Sequence, residues 1–141
     1  MTEAQAIELV TQTFVTGWTT AMPAVPYTLR NDTLLSVDTF VLFTAMVTAS
    51  RQTTQGPAGT RRVEYQGWIQ IKTWVPTGTG AAPSARLADA ARAIFVGQNL
   101  PSPVPNDEAL NCGAAMSGAP TVDERWELGL IRIPMKFSSR I

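Results

Sequence analysis

The 141-residue sequence contains no histidine and only one cysteine. Without histidine, the chain cannot build a Ser-His-Asp or Cys-His catalytic site by itself. Zinc sites that use imidazole are excluded, and Cys112 alone cannot supply several thiolates to a metal. An internal disulfide is also excluded, which is compatible with a reducing cytosol. We therefore expect neither an enzyme nor a protein that holds a metal or cofactor.

Net charge is absent as well, since 11 Lys and Arg balance 11 Asp and Glu. A neutral chain lacks the basic excess that is typical of proteins that bind bulk nucleic acid. The first residues lack the basic start of a secretory signal. The longest apolar run, residues 40–47, is far shorter than the ~20 residues that span a bilayer. We expect a soluble protein, made in a cytoplasm, with no membrane contact.

The length and a hydrophobic content of 45% suit a single globular domain over residues 1–141. Apolar residues at spacings of three and four predict a helix over residues 3–20. Thr2 and Gln5 match a capping box at its start. A second helix is predicted over residues 84–98, with Ser84 as its N-cap.

Alternating apolar and polar residues predict strands. The predicted strands cover residues 37–50, 61–76, 108–117 and 125–138. A change of parity around Leu130-Ile131 indicates a bulge or bend in the last strand, and Pro134 favours an edge position for it. Prolines in residues 22–35 indicate an irregular connector.

The predicted order of elements is α-β-β-α-β-β. Strands linked by hairpins pair in the antiparallel sense, and helices usually cover a sheet to bury its apolar face. The sequence therefore predicts an α+β fold, with a four-stranded antiparallel sheet and two helices packed on it.

Three arginines, Arg51, Arg61 and Arg62, cluster at the base of the first hairpin, with no acidic residue between positions 51 and 62. They can be exposed loop charges that discourage aggregation at a sheet edge. They can also contact an acidic protein surface or a phosphate backbone. The sequence leaves these interpretations open.

Trp68 and Trp74 are six residues apart in a predicted strand, so they share one face, which is otherwise polar. Either a helix covers this face, or it is buried between subunits, where tryptophan and arginine are enriched. Periodicity does not decide between the two.

Other motifs carry little chemistry. Residues 76–80, PTGTG, lack the lysine of a phosphate-binding loop and the third glycine of a dinucleotide loop, which favours a flexible link. The acidic pairs at 107–108 and 123–124 flank predicted strands and are typical of solvated loops rather than of a general acid and base. Cys112 is expected to be a small buried hydrophobe.

Several segments in a fixed order carry a resemblance that covers nearly the whole chain. After the N-terminal helix and the connector, these segments are Arg30-Asn31-Asp32, Gly67-Trp68-Ile69-Gln70-Ile71, Val75-Pro76, Gly78-Thr79-Gly80, Ala88-Asp89-Ala90-Ala91, Ile94-Phe95, Trp126 and Ile133-Pro134-Met135-Lys136-Phe137. Together they resemble the tail terminator-like, or tail completion, proteins of long-tailed bacteriophages.

The resemblance implies a structural protein of the virion, assembled in the host cytoplasm and placed at the head-proximal end of the tail. Its subunits would form a hexameric ring that caps the tail tube, ends its polymerisation and offers a docking surface to the head. The implied partners are other copies of the chain, the tail tube protein and the head–tail connector or stopper. DNA would pass through the lumen without specific binding.

The resemblance transfers no site residue, so candidate interface residues come from expected exposure. They are Arg51, Arg61, Arg62, Trp68, Trp74, Arg30 and Asn31. The nearest alternative is a neck, or head–tail joining, protein or a tube-like virion protein. A more distant alternative is a small nucleic-acid-binding module, in which the arginine cluster and the tryptophan face bind a nucleic-acid strand.

Overall fold

The computed structural model describes residues 1–29 and 38–141. Helix α1 covers Glu3–Ala21 and helix α2 covers Ala82–Phe95. The strands in chain order are β1 (Tyr27–Leu29), β2 (Phe40–Gln52), β3 (Arg62–Pro76), β4 (Asn99–Leu100), β5 (Leu110–Cys112), β6 (Met116–Ser117), β7 (Thr121–Val122) and β8 (Trp126–Arg140).

The eight described strands form one mixed sheet, in the order β1-β2-β3-β8-β5-β4, with β6 and β7 also paired to β8. Strand β1 runs parallel to β2, and the other pairs are antiparallel. The α+β class is confirmed, and one sheet with one core fits a single domain. The predicted four-stranded antiparallel sheet is wrong, because five strands of only two or three residues are too short to show an alternating pattern.

The start of α1 matches the sequence prediction. The Gln5 backbone N–H donates to Thr2 Oγ1 at 3.2 Å, and the Thr2 N–H donates to Gln5 Oε1 at 2.8 Å. The predicted N-cap of α2 is wrong, since the helix begins at Ala82 and Ser84 lies buried inside its first turn. A proline in the first turn suits this start, because its missing N–H would have no partner there.

The pairing of β3 with β8 is continuous from Arg62 opposite Arg140 to Pro76 opposite Trp126. The bulge predicted at Leu130 is therefore wrong. The apolar residues shift from even to odd positions near Leu130 because both faces of β8 carry apolar side chains there. The bulge that does occur lies in β2, between Val47 and Ala49.

The predicted edge position of Pro134 is also wrong, because β8 lies inside the sheet. Its carbonyl accepts a hydrogen bond of 2.9 Å from the Gly113 N–H, in the link between β5 and β6. The N–H and C=O of a strand residue point to the same side, so the N–H that Pro134 lacks would point at this link. The interruption between β5 and β6 thus accommodates the proline.

The core lies between the helices and the face of the sheet formed by odd-numbered residues of β2, β3 and β8. Phe14 of α1 stacks on Phe43 of β2, with ring centroids 4.6 Å apart. Phe95 of α2 lies against the same Phe43 ring at 6.1 Å. Both helices therefore cover one face of the sheet and leave the other without a helix among the described residues.

Candidate interaction surface

The uncovered face of the sheet is formed by even-numbered residues of β2, β3 and β8, and we term it the open face. Its members are Phe40, Leu42, Thr44, Met46, Trp68, Gln70, Lys72, Trp74, Leu128, Leu130, Arg132 and Pro134. No helix in ranges 1–29 and 38–141 packs on it, so the alternative in which a helix covers the two tryptophans is wrong for this part of the chain.

An aromatic cluster occupies one end of the open face. The Phe40 and Trp74 rings are stacked, with centroids 4.8 Å apart, and Trp126 meets Phe40 edge-on at 5.9 Å. Trp74 remains half-buried, and Leu130 nearby is 39% exposed. These side chains form an apolar patch that still has area to bury.

Trp68 and Arg132 form the centre of the open face. The Arg132 guanidinium carbon lies 4.4 Å from the Trp68 ring centroid, which is the geometry of a cation–π pair. The Arg132 Nε is buried and has no hydrogen-bond partner. Stacking fixes the plane of the guanidinium, which favours planar recognition of a carboxylate.

Lys72 lies one row away from Arg132, between Leu42 and Leu130 in the cross-strand pairing. Its side chain is exposed. The ion pairs found among the described residues involve neither Lys72 nor Arg132. The open face thus combines half-exposed aromatic side chains with cations that pair with no carboxylate in ranges 1–29 and 38–141.

The arginine cluster is at the hairpin end of the sheet, beyond Trp68, and two of its three arginines form ion pairs with glutamates. Arg51 and Arg62 both pair with Glu64, at 3.4 and 3.6 Å, and Arg62 pairs with Glu108 at 2.6 Å. The Arg61 Nε donates to the Gly56 carbonyl at 2.7 Å. Sequence spacing did not indicate these two acidic partners. Glu64 reaches Arg51 through strand pairing, and Glu108 lies in a distant loop.

The remaining predicted interface residues, Arg30 and Asn31, lie outside the described residues. The cations that sequence reasoning missed are Lys72 and Arg132. The signal for Arg132 was its even position in the last strand, which places it on the same face as the tryptophans once β3 and β8 pair in register.

The acidic pairs have structural contacts. Glu108 accepts from Ser138 Oγ at 3.1 Å as well as from Arg62. Asp123 accepts backbone N–H bonds from Trp126 at 2.6 Å and from Arg125 at 2.8 Å, and these bonds lower its pKa. These contacts fix the turns before β5 and β8.

Asp107 contacts the ammonium group of Met1, which also donates to the Ser138 carbonyl at 2.9 Å. Burial alone would raise the pKa of Asp107. Hydrogen bonds from the Met1 ammonium and the Glu108 N–H, together with the charges of that ammonium and Arg140, outweigh burial and lower the pKa.

We expect this contact to stabilise the fold at neutral pH and to weaken in acid. A carboxyl whose pKa is lowered by folding stabilises the native state above its unfolded pKa, about 3.9, and loses that effect as pH falls through the native value. Asp107→Asn should therefore be less stable than the wild type at pH 7, with a gap that narrows below about pH 4. Urea unfolding across this pH range measures the gap, and a constant gap would contradict the assignment.

The thiol of Cys112 and the glycine-rich link after β3 have structural placements. Cys112 is buried, and burial raises the pKa of its thiol to about 11, so it stays protonated at neutral pH. Gly78 and Gly80 adopt φ of 95° and 83° and form the link from β3 to α2. Within the described ranges there is no cluster of His, Cys, Asp or Glu suited to a metal ion, and no helix with the length and apolarity to cross a membrane.

Comparison with known proteins defines the fold alone. No protein-family model and no curated protein matches the chain. A solved structure, of a protein designated only by a sequence identifier, matches 97% of this chain and 96% of its own, with a TM-score of 0.73 and 18% sequence identity. The chain is therefore similar in fold to that α+β protein over nearly its whole length.

Proposed function

We propose that the protein is a structural, ring-forming subunit of the tail terminator type from a long-tailed bacteriophage. The observation that carries the proposal is the open face, where Trp68, Trp74 and Leu130 remain partly exposed beside two cations, Lys72 and Arg132, that have no ion-pair partner among the described residues. Aromatic residues and arginine are enriched at the centres of protein interfaces. The family resemblance supplies the kind of assembly, a hexameric ring.

In this proposal, the mechanism is steric. The ring docks on the last ring of the tail tube and covers the surface to which another tube ring would add. Its other side offers a docking surface to the head–tail connector or stopper. DNA passes through the lumen without specific binding, because a strongly basic lumen would hold the phosphate backbone. The protein would then be part of the virion, at the head-proximal end of the tail.

A neck or tube-like role in the same virion remains the nearest alternative, since it requires the same self-association. The nucleic-acid-binding alternative has less support. One face of Trp68 is occupied by Arg132 and Trp74 is stacked on Phe40, which limits the ring surface available to bases. Glu64 and Glu108 neutralise much of the arginine cluster. A salt-dependent shift of a DNA fragment would support this alternative, and no shift at low salt would remove it.

The double variant Trp68→Ala/Trp74→Ala tests the proposal. We expect its self-association to weaken by at least tenfold, about 1.4 kcal/mol or more, because truncated aromatic anchors typically carry much of the binding energy. We expect the fold to persist, since both side chains lie outside the helix-covered core. Sedimentation velocity measures the association, and circular dichroism reports the fold.

Val122→Ala is the matched control. Val122 is 61% exposed and lies opposite Glu127, on the other side of the sheet from the open face. The Val122→Ala variant should self-associate as the wild type does. Unchanged assembly of the double tryptophan variant would remove the open face from the subunit contact.

A further inference from the structure

We propose that the open face of one copy packs head-to-tail against helix α1 of the next copy, with Lys72 and Arg132 facing the Glu8 carboxylate. The inference rests on the proposed self-assembly, and it names the two surfaces that meet.

The first argument concerns apolar area. A sheet with apolar side chains on both faces is typical of sheets that are covered on both sides. In β2 and β8, apolar residues occupy both even and odd positions and therefore both faces of the sheet. Examples are Phe40-Val41-Leu42-Phe43 and the segment from Leu128 to Ile131. The chain covers one face with its own helices. A helix layer from a second copy would cover the other face by the same kind of packing.

The second argument is charge complementarity. Helix α1 contains no lysine or arginine, and its charged residues are Glu3 and Glu8, both exposed. Neither glutamate takes part in an ion pair among the described residues. The open face offers Lys72 and Arg132, which also form no ion pair within the part of the chain that the structure describes. Opposite charges that are unpaired within each copy become paired when two copies meet.

The third argument is shape. An open groove runs between α1 and α2, lined mainly by small and apolar side chains, including Leu9, Gly17, Ala90, Ala93 and Ile94. Glu8 lies one helical turn before Gln12, which lines the groove. An apolar side chain that protrudes from the open face can enter such a groove, while the cations of the open face pair with Glu8 at the border of the groove.

The two surfaces lie on opposite sides of the sheet, so the contact joins unlike surfaces. A contact of this type is heterologous, and it closes into a ring or propagates as a filament. A contact between two open faces would instead close as a dimer. The head-to-tail contact is therefore the one compatible with a ring subunit.

Charge reversal on the two surfaces tests the inference with the full chain. Arg132→Glu and Glu8→Arg should each weaken self-association by about tenfold or more, because like charges then meet in the contact. An equimolar mixture of the two variants should recover assembly, since every contact in an alternating arrangement again joins opposite charges. Lys72→Glu provides a second variant at an exposed position where folding should not suffer.

Glu124→Arg is the control, because it makes the same charge change as Glu8→Arg at an exposed position of the turn before β8. It should leave assembly intact. Sedimentation velocity of single variants and mixtures is the measurement. If the wild type assembles and the reversals have no effect, or if the mixture does not recover, the head-to-tail contact is wrong and the ring proposal stands. If the wild type never self-associates, both are wrong.

Discussion

Replacement of Gly67 by alanine is expected to lower the free energy of unfolding by about 3 kcal/mol, the upper part of the usual range for overpacking. A Cβ atom at this position would lie 2.1 Å from the Met46 carbonyl oxygen and 2.8 Å from the Met135 Cε. The first neighbour is backbone, and it lies next to the bulge in β2, so it cannot turn aside as a flexible side chain can. Urea unfolding measures the loss.

Gly118→Ala is the matched control for this prediction. No atom lies within 4 Å of the Cβ that would be added at Gly118. Its stability should stay within about 0.5 kcal/mol of the wild type, as is usual for surface changes. Equal stability of the two alanine variants would show that β2 and β3 do not approach each other closely at Gly67.

Phe14→Ala is expected to cost about 3–5 kcal/mol, the range for removal of a buried phenylalanine side chain. Phe14 is fully buried, and its ring contacts Trp18 at 5.6 Å, Phe43 at 4.6 Å and the edge of Tyr27 at 5.7 Å. The truncation leaves a cavity where α1 meets the sheet, and it removes three aromatic contacts at once.

Phe14→Leu refills much of that cavity and should lose a smaller part of the stability. Thermal and urea unfolding of both variants provide the comparison. A loss below about 1 kcal/mol for Phe14→Ala would contradict the placement of this ring at the centre of the core.

The long elements could be predicted because each carries its own periodic signal. The row Val10, Phe14 and Trp18 in α1 is buried, as its spacing predicts. In β3, Ile69, Ile71 and Val75 are buried on one face while Lys72 is exposed on the other. Such patterns are local, so they are readable before any tertiary contact is known.

The short strands could not be predicted, because two or three residues are too few to show an alternating hydrophobic pattern. Tyr27–Leu29 follows two prolines and pairs in parallel with a strand that comes after it in the chain. The bulge between Val47 and Ala49 lies beside the close approach of β2 to Gly67. Both features are determined by tertiary packing, and neither has a signal in the local sequence.

The surface was predicted in part. The shared face of Trp68 and Trp74 follows from strand geometry alone. The ion-pair partners of the arginines cannot be predicted in this way, since Glu64 reaches Arg51 across a hairpin and Glu108 is 46 positions from Arg62 in the sequence. The pairing of Arg132 with Trp68 needs the register of β3 against β8, which no residue spacing in one strand provides.

The central claim is that the chain assembles through its open face into a ring. Light scattering of the full chain over a wide concentration range, with negative-stain images of the same samples, tests it most directly. The account predicts closed rings with a mass about six times the 15.2 kDa of one chain. A species that remains monomeric at every concentration would contradict it.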